Sequence, residues 1–126
     1  MRMARILVIE DETVIAQVIR LLLEPQGHDV LIADDGSRGF AAAQRQAIDL
    51  IILDLMMPVM DGFSVLEALR GNERTASIPV MVLSARSDDE TQRRCHGFGV
   101  ETFLPKPFES EDLTRAVENL VVSPAS

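Results

Sequence analysis

Five polar side chains able to take part in metal or phosphate chemistry each come directly after, or within two residues of, a short apolar stretch. They are Glu10, Asp11, Asp54, Ser84 and Lys106. Three carboxylates held close together repel one another and raise each other's pKa, and a hard divalent cation relieves that repulsion. Mg²⁺ uses one or two carboxylates together with water and phosphate oxygens. A main-chain carbonyl in the loop after Asp54 could complete the ligand set, with Met56 as the candidate.

The same residues also suit a phosphoryl group. Lys106 offers a positive point charge, Ser84 offers a hydroxyl donor, and Asp54 is a possible oxygen nucleophile that would form an acyl phosphate. Each residue also has a plainer interpretation. Asp54 could cap a strand or form a turn, Ser84 could start a helix, Lys106 could be a surface lysine, and Glu10 with Asp11 could be a solvated turn.

The elements that must position these residues alternate along the chain. Apolar stretches predict strands at 5–9, 29–33, 49–53, 78–83 and 101–104, and helical patterns predict helices at 13–24, 35–46, 61–69, 87–97 and 110–122. Alternation with short connections predicts an α/β fold: a doubly wound, five-stranded parallel sheet, (βα)5 and flavodoxin-like, in strand order 2-1-3-4-5. In that order the carboxyl ends of the first and third strands adjoin, which brings Glu10, Asp11 and Asp54 together.

Three helix starts are predicted from local signals. Thr13 and Asp35 are expected to cap the first and second helices. The residues from Ser87 to Glu90 have the form of a capping box, which would open the fourth helix.

Composition limits the class of protein. The 126 residues carry a formal net charge of −8, so we expect one domain that does not bind nucleic acid or membrane directly. The domain is predicted to cover 1–122, with 123–126 as a tail or the start of a linker. No signal peptide or apolar run of roughly 18 residues is found. With a single cysteine, Cys95, these features favour a cytoplasmic location.

Four stretches then identify a family resemblance: ILVIEDE (6–12), LIILDLMMPVMDG (50–62), PVMVLSA (79–85) and FLPKPF (103–108). In this order they resemble the receiver domain of response regulators in bacterial two-component signalling. The similarity covers the chain from about Ala4 to Val122. The combination is specific, although no single stretch is.

The resemblance implies that Asp54 accepts a phosphoryl group from a phosphohistidine on a sensor histidine kinase or a histidine phosphotransfer protein. Asp11 and Asp54 would bind Mg²⁺ directly with the Met56 carbonyl, and Glu10 would act through a metal-bound water. Mn²⁺ could substitute. Ser84 and Lys106 would hold the phosphoryl oxygens, and the Lys106–Pro107 peptide bond would be cis.

The resemblance also implies a switch and a signalling role. Phe103 would swing inward when Ser84 moves toward the phosphate. The fourth helix, fifth strand and fifth helix would then signal to a partner protein or a fused output domain. The protein would be a monomer or a phosphorylation-linked dimer. It would assist its own phosphorylation and dephosphorylation without being a conventional turnover enzyme.

Three residues depart from the commonest family pattern. Glu10 stands where many members have Asp, and Ser84 is often Thr; both substitutions preserve the chemistry. Phe103 is often Tyr, so switching here must depend on packing without a phenol hydroxyl.

Two other functions would make different demands on the sequence. A small phosphatase of the haloacid-dehalogenase type would have a second Asp two residues after the first, where this chain has Met56. An adaptor that never accepts phosphate would not need the acidic site. The sequence is compatible with a stand-alone regulator, a relay shuttle or the receiver of a longer protein.

Overall fold

The computed structural model describes residues 3–57 and 60–121. The strands are β1 (Arg5–Ile9), β2 (Asp29–Ala33), β3 (Leu50–Asp54), β4 (Val80–Ser84) and β5 (Thr102–Pro105). The helices are α1 (Thr13–Leu23), α2 (Gly36–Arg45), α3 (Gly62–Arg70), α4 (Asp89–Gly97) and α5 (Ser110–Val121), with a 3₁₀ turn at Glu24–Gln26. The predicted tail 123–126 and the predicted last helical residue, Val122, lie outside the described residues.

The strands form one sheet in the order β2-β1-β3-β4-β5, and every neighbouring pair is parallel. This confirms the predicted doubly wound α/β fold. Such a sheet needs helices on both faces, because parallel strands connect through crossovers that cover them.

Alternate residues of the central strand β3 supply two separate cores. Ile51 and Leu53 belong to a core that includes side chains of α3 and α4. Leu50 and Ile52 point to the other face and belong to a core that includes side chains of α1 and α5. All five residues of β3 are buried. The central strand is therefore held from both sides, and the residue at its carboxyl end is held with it.

Two helix starts test the predicted caps. Asp35 caps α2 as predicted, since its Oδ1 accepts a hydrogen bond from the Arg38 backbone N–H at 2.7 Å. The prediction for Thr13 is wrong. Thr13 is already the first helical residue, and Glu12 occupies the cap position without a side-chain cap hydrogen bond.

The predicted capping box at the start of α4 is also wrong. The cap is Asp88, whose Oδ2 accepts from the Thr91 backbone N–H at 3.2 Å. The Thr91 hydroxyl donates to Asp88 Oδ1 at 2.7 Å. This second bond favours Asp88 over Ser87, because Thr91 can then satisfy both carboxylate oxygens.

Within residues 3–57 and 60–121, none of the helices has the length and apolar character needed to cross a membrane.

Candidate phosphoryl and metal site

The strand register brings the predicted residues to one edge of the sheet. Ile9 of β1 pairs with Leu53 of β3, so the residues that follow each of them, Glu10 and Asp54, lie next to each other. Further along this edge, Ser84 is the last residue of β4 and Lys106 directly follows β5. Because the strands are parallel, all these side chains are at their carboxyl ends, where open α/β sheets bind ligands.

Lys106 bridges two buried carboxylates. Its Nζ lies 2.9 Å from Glu10 Oε1 and 3.3 Å from Asp54 Oδ1. The side chains of Glu10 and Asp54 are only 1% and 2% exposed, and that of Lys106 is 13% exposed. Buried charges are tolerated only when paired, so this ammonium group is the counter-charge that the described structure provides for the two carboxylates.

The pKa values reflect this enclosure. Burial, followed by the hydrogen bond with Asp54, raises the pKa of Glu10 to about 7 from an ordinary value of 4.5. Burial alone would lower the pKa of Lys106, but the neighbouring Glu10 and Asp54 carboxylates outweigh it and raise that pKa. The raised pKa of Lys106 shows that the two carboxylates favour a positive charge at this position, whereas the raised pKa of Glu10 reflects mainly its burial.

Backbone N–H groups hold the polar side chains in place. Met56 donates to Asp54 Oδ1 at 3.1 Å, and Glu12 donates to Glu10 Oε2 at 3.2 Å. The Ser84 Oγ accepts from the Arg86 backbone N–H at 3.0 Å. These bonds restrict the side chains to orientations that face the sheet edge.

Gly62 lets α3 begin close against the loop that follows β3. Its N–H donates to the Leu55 carbonyl at 2.9 Å, and a Cβ at this position would lie 2.6 Å from Leu55 Cα. A side chain would therefore displace the loop that carries the Met56 amide. The sequence places Gly62 at the start of the predicted helix 61–69, and the contact with Leu55 depends on the tertiary structure.

The three predicted acidic residues can reach a common metal ion. Ligand oxygens of Glu10, Asp11 and Asp54 lie within 4.8 Å of one another, and Asp11 is half-buried. An all-carboxylate set of this kind matches the hard oxygen donors that Mg²⁺ prefers. Met56, whose main-chain carbonyl was predicted as a further ligand, is 56% exposed. The ligand roles of these four residues remain predictions.

The predicted switch residues also lie near this edge. Phe103 is half-buried on β5, pairs in register with Val82, and contacts the core shared with α3. The Lys106–Pro107 peptide bond is cis, as the resemblance implied. Whether Phe103 and Ser84 switch remains a prediction.

Sequence reasoning missed the bond between Lys106 and Glu10. It assigned Lys106 to phosphate and Glu10 to a metal-bound water, but the two are joined directly and are 96 residues apart in sequence. No local pattern signals a pair at that separation, and β1 and β5 are not neighbours in the sheet, so only the tertiary structure reveals it.

The fold and site define a doubly wound α/β protein with an acidic cluster at the carboxyl edge of its sheet. The model of the response regulator receiver domain matches residues 6–118, so the chain belongs to that family. Members of this family are signalling proteins of two-component systems.

Individual relatives agree with that membership. The chain is 43% identical over 121 residues to the DNA-binding dual master transcriptional regulator RpaA of Synechocystis sp., covering 94% of this chain and 49% of that protein. This chain therefore spans about half the length of the curated relatives it matches.

Solved structures share the whole fold. The chemotaxis protein CheY4 of Vibrio cholerae matches with a TM-score of 0.89 and 31% identity, covering 94% of this chain and 99% of that one. The receiver domain of the sensor histidine kinase PA1611 of Pseudomonas aeruginosa matches with a TM-score of 0.86 and 30% identity, covering 97% and 100%. That second structure is described with a magnesium ion coordinated in the active site cleft.

Proposed function

We propose that this domain accepts a phosphoryl group on Asp54 from a phosphohistidine of a sensor histidine kinase or histidine phosphotransfer protein. The observation that carries the proposal is the buried Asp54 carboxylate, which lies 3.3 Å from Lys106 Nζ and shares its site with Glu10 and Asp11. A carboxylate enclosed in this way is oriented by fixed contacts and has a cation ready for an incoming phosphoryl oxygen.

The chemistry is a phosphoryl transfer between two residues. A carboxylate oxygen of Asp54 forms a bond to phosphorus while the P–N bond of the phosphohistidine breaks. The electron pair of that bond stays on the departing imidazole, and the product is an aspartyl phosphate. Lys106 would release its bonds to the carboxylates and hold a phosphoryl oxygen, and the Ser84 hydroxyl would donate to another. Attack of water on the acyl phosphate would release inorganic phosphate and return the Asp54 carboxylate. We propose that the domain assists this step, and its own phosphorylation, without being a conventional turnover enzyme.

A divalent cation fits the acidic side of the site. Asp11, Asp54 and the Met56 carbonyl would bind Mg²⁺ directly, Glu10 would act through a water, and Mn²⁺ could replace Mg²⁺. When bound, the ion would neutralise negative charge on the phosphoryl oxygens. Supporting this role, ligand oxygens of Glu10, Asp11 and Asp54 lie within 4.8 Å of one another.

The signal would leave through the face formed by α4, β5 and α5, with Ser84 and Phe103 as the switch residues. Its recipient would be a partner protein or a fused output domain, while nucleic acid and membranes would not be bound by this domain itself. We propose a receiver unit over 1–122 that acts in the cytoplasm as a monomer or a phosphorylation-linked dimer. The family match over 6–118 supports these boundaries.

The test is phosphoryl uptake from acetyl phosphate, measured by intact mass with and without Mg²⁺. We expect the unaltered protein to gain one phosphoryl group only with the cation, and Asp54→Asn to gain none. Asp11→Asn should need more Mg²⁺ for the same uptake, because it loses a ligand. A phosphorylated Asp54→Asn variant would refute the assignment of the acceptor. Steady hydrolysis of a simple phosphomonoester would instead favour a phosphatase.

A further inference from the structure

Helix α4 is held to the protein in an unusual way for a helix at the surface of a sheet. Its nine residues, Asp89–Gly97, include one apolar side chain, Cys95, and only Cys95 and Thr91 are buried. A helix that is polar on nearly all sides gains little from burying an apolar face, and so short a helix is unstable alone. Its position must therefore depend on other contacts.

Two arginines connect α4 to α3. The guanidinium carbon of Arg94, in α4, lies 3.7 Å from the centroid of the Phe63 ring, near the start of α3. Arg70, the last residue of α3, donates from its Nε to the Phe98 carbonyl at 2.7 Å, just past the end of α4. The first contact holds the body of α4, and the second holds its carboxyl end.

These two contacts differ in strength. Arg70 also donates from Nη1 to the carbonyls of Ala76 and Ile78, at 3.0 and 2.8 Å, and is half-buried. One guanidinium group thus bonds three carbonyls, two in the loop between α3 and β4 and one in the loop between α4 and β5. Arg94 is exposed and contacts a single ring. At exposed sites such a contact shifts the equilibrium between its closed and open states by roughly twofold to fivefold. The stack should open long before the Arg70 bonds do.

A chain of bonded groups leads from the phosphoryl site to the start of α4. Ser84 Oγ accepts from the Arg86 backbone N–H at 3.0 Å. Arg86 Nε in turn donates to Asp88 Oδ1 at 2.9 Å, and Asp88 caps α4. If the Ser84 hydroxyl turns toward a phosphoryl oxygen, its hydrogen bond with the Arg86 amide must weaken or move with it. Because Arg86 is bonded to Asp88, the change reaches the cap of α4.

Space for movement lies beside the stack. A cleft of about 510 Å³ is lined by Phe63 and Arg94, by Arg86, and by residues that directly follow Asp54. The ring and the guanidinium can therefore separate without first displacing a packed core.

We propose that α4 turns about its Arg70-held carboxyl end, and that opening of the Arg94–Phe63 stack is the step that frees its amino-terminal half. This inference rests on the proposed function, because phosphorylation of Asp54 would supply the movement of Ser84 and Arg86. Arg94 and Phe63 are then positioning residues for the signal, while neither contacts the phosphoryl group.

Amide hydrogen exchange, read residue by residue by NMR, tests the proposal at two positions. The Gln92 amide bonds to the Asp88 carbonyl and reports on the amino-terminal half. The Val100 amide bonds to the Cys95 carbonyl and reports on the carboxyl end. In the absence of any phosphate analogue, Arg94→Gln and Phe63→Leu should each speed exchange at Gln92 about twofold to fivefold and leave Val100 unchanged.

Two variants serve as controls for these changes. Arg93→Gln removes the same charge from the exposed neighbouring residue and should change neither amide. Arg70→Lys should speed exchange at Val100, because one ammonium cannot serve three carbonyls. If Arg94→Gln speeds exchange equally at both amides, α4 does not turn about its carboxyl end. If Arg94→Gln and Arg93→Gln give the same exchange rates, the Arg94–Phe63 contact does not hold α4.

Beryllofluoride with Mg²⁺ then tests the link to the phosphoryl site in the unaltered protein. Exchange at Gln92 should rise on binding and exchange at Val100 should not, and this rise should be smaller in Phe63→Leu, where the stack is already open. Failure of the unaltered protein to bind beryllofluoride would count against the proposed function. Binding without a change at Gln92 would overturn only the role of the stack.

Discussion

The acidic edge of the sheet and helix α4 differ sharply in how they are held. At the edge, Glu10 and Asp54 are almost completely enclosed, and Lys106 joins them across 2.9 and 3.3 Å. In α4, two of nine residues are buried and two arginine contacts fix its place. Chemistry requires groups that do not move before the reaction, whereas a signal requires an element that can move at low cost.

The difference originates in the neighbouring elements. β3 is buried along its full length between two cores, so Asp54 at its end is held as firmly as the strand itself. α4 lies on the same sheet but contributes little beyond Cys95 to the core. Substitutions at the edge should therefore lower the stability of the whole domain, and substitutions in α4 should act locally.

The largest effect is expected for Lys106→Met. Removing this ammonium leaves two buried carboxylates without their counter-charge, which should lower the free energy of unfolding by about 3–5 kcal/mol at pH 8 without divalent cation. Urea unfolding followed by circular dichroism measures the loss. Arg115→Met is the matched control, because Arg115 pairs with Asp112 at an exposed site and should change stability by less than about 1 kcal/mol.

The outcome for these two variants tests whether the acidic edge is held by buried charge pairs. Similar losses in Lys106→Met and Arg115→Met would mean that the acidic edge is not electrostatically enclosed. The loss in Lys106→Met should also shrink as the pH falls, since Glu10 then takes up a proton and one buried charge disappears.

The second prediction concerns the pH dependence due to Glu10. Its pKa is 4.5 ordinarily and about 7 in the folded protein, so the folded state holds this proton more tightly. The stability from this group is fully present below about pH 4.5 and is lost as the pH rises through about 7. The loss amounts to up to about 3 kcal/mol.

Unfolding of the unaltered protein and of Glu10→Gln across pH 5 to 8, without divalent cation, isolates this contribution. The free energy of unfolding of the variant should depend less on pH across that range, because the Gln side chain does not titrate. Added Mg²⁺ should restore stability at pH 8, since it binds the folded, ionised site. An equally steep profile in Glu10→Gln would contradict the assignment to Glu10.

The smallest effect is expected when the capping Asp of a helix is replaced by Ala, a change that can be made in both α3 and α4. Asp61 caps α3 and Asp88 caps α4 by the same kind of bond, with distances of 2.9 and 3.2 Å to the amides of Ser64 and Thr91. Asp61→Ala should lower global stability by about 0.5–2 kcal/mol. Asp88→Ala should change global unfolding less and speed amide exchange in α4 more, because α4 can open while the domain stays folded.

Denaturation and hydrogen exchange on both variants check this comparison. Equal global losses would show that α4 unfolds only with the whole domain, and the distinction between the two regions would fail.

Local signals account for the predictions that succeeded. Apolar runs and their spacing were enough for five strands and five helices, and short connections made the parallel order 2-1-3-4-5 the expected one. Asp35 was predictable as a cap because capping depends on residues three positions apart. The cap of α4 was not, because Ser87 and Asp88 both satisfy the local rule and the Thr91 hydroxyl selects Asp88.

By itself, the sequence determined which residues end the strands and therefore which chemistry gathers at one edge of the sheet. Hydrophobic periodicity and chain connectivity are local properties, and they suffice for that. Only the tertiary structure decided that Lys106 pairs with Glu10, and that Arg70 and Arg94 hold α4. Those contacts depend on distances between side chains far apart in the chain, which no local pattern encodes.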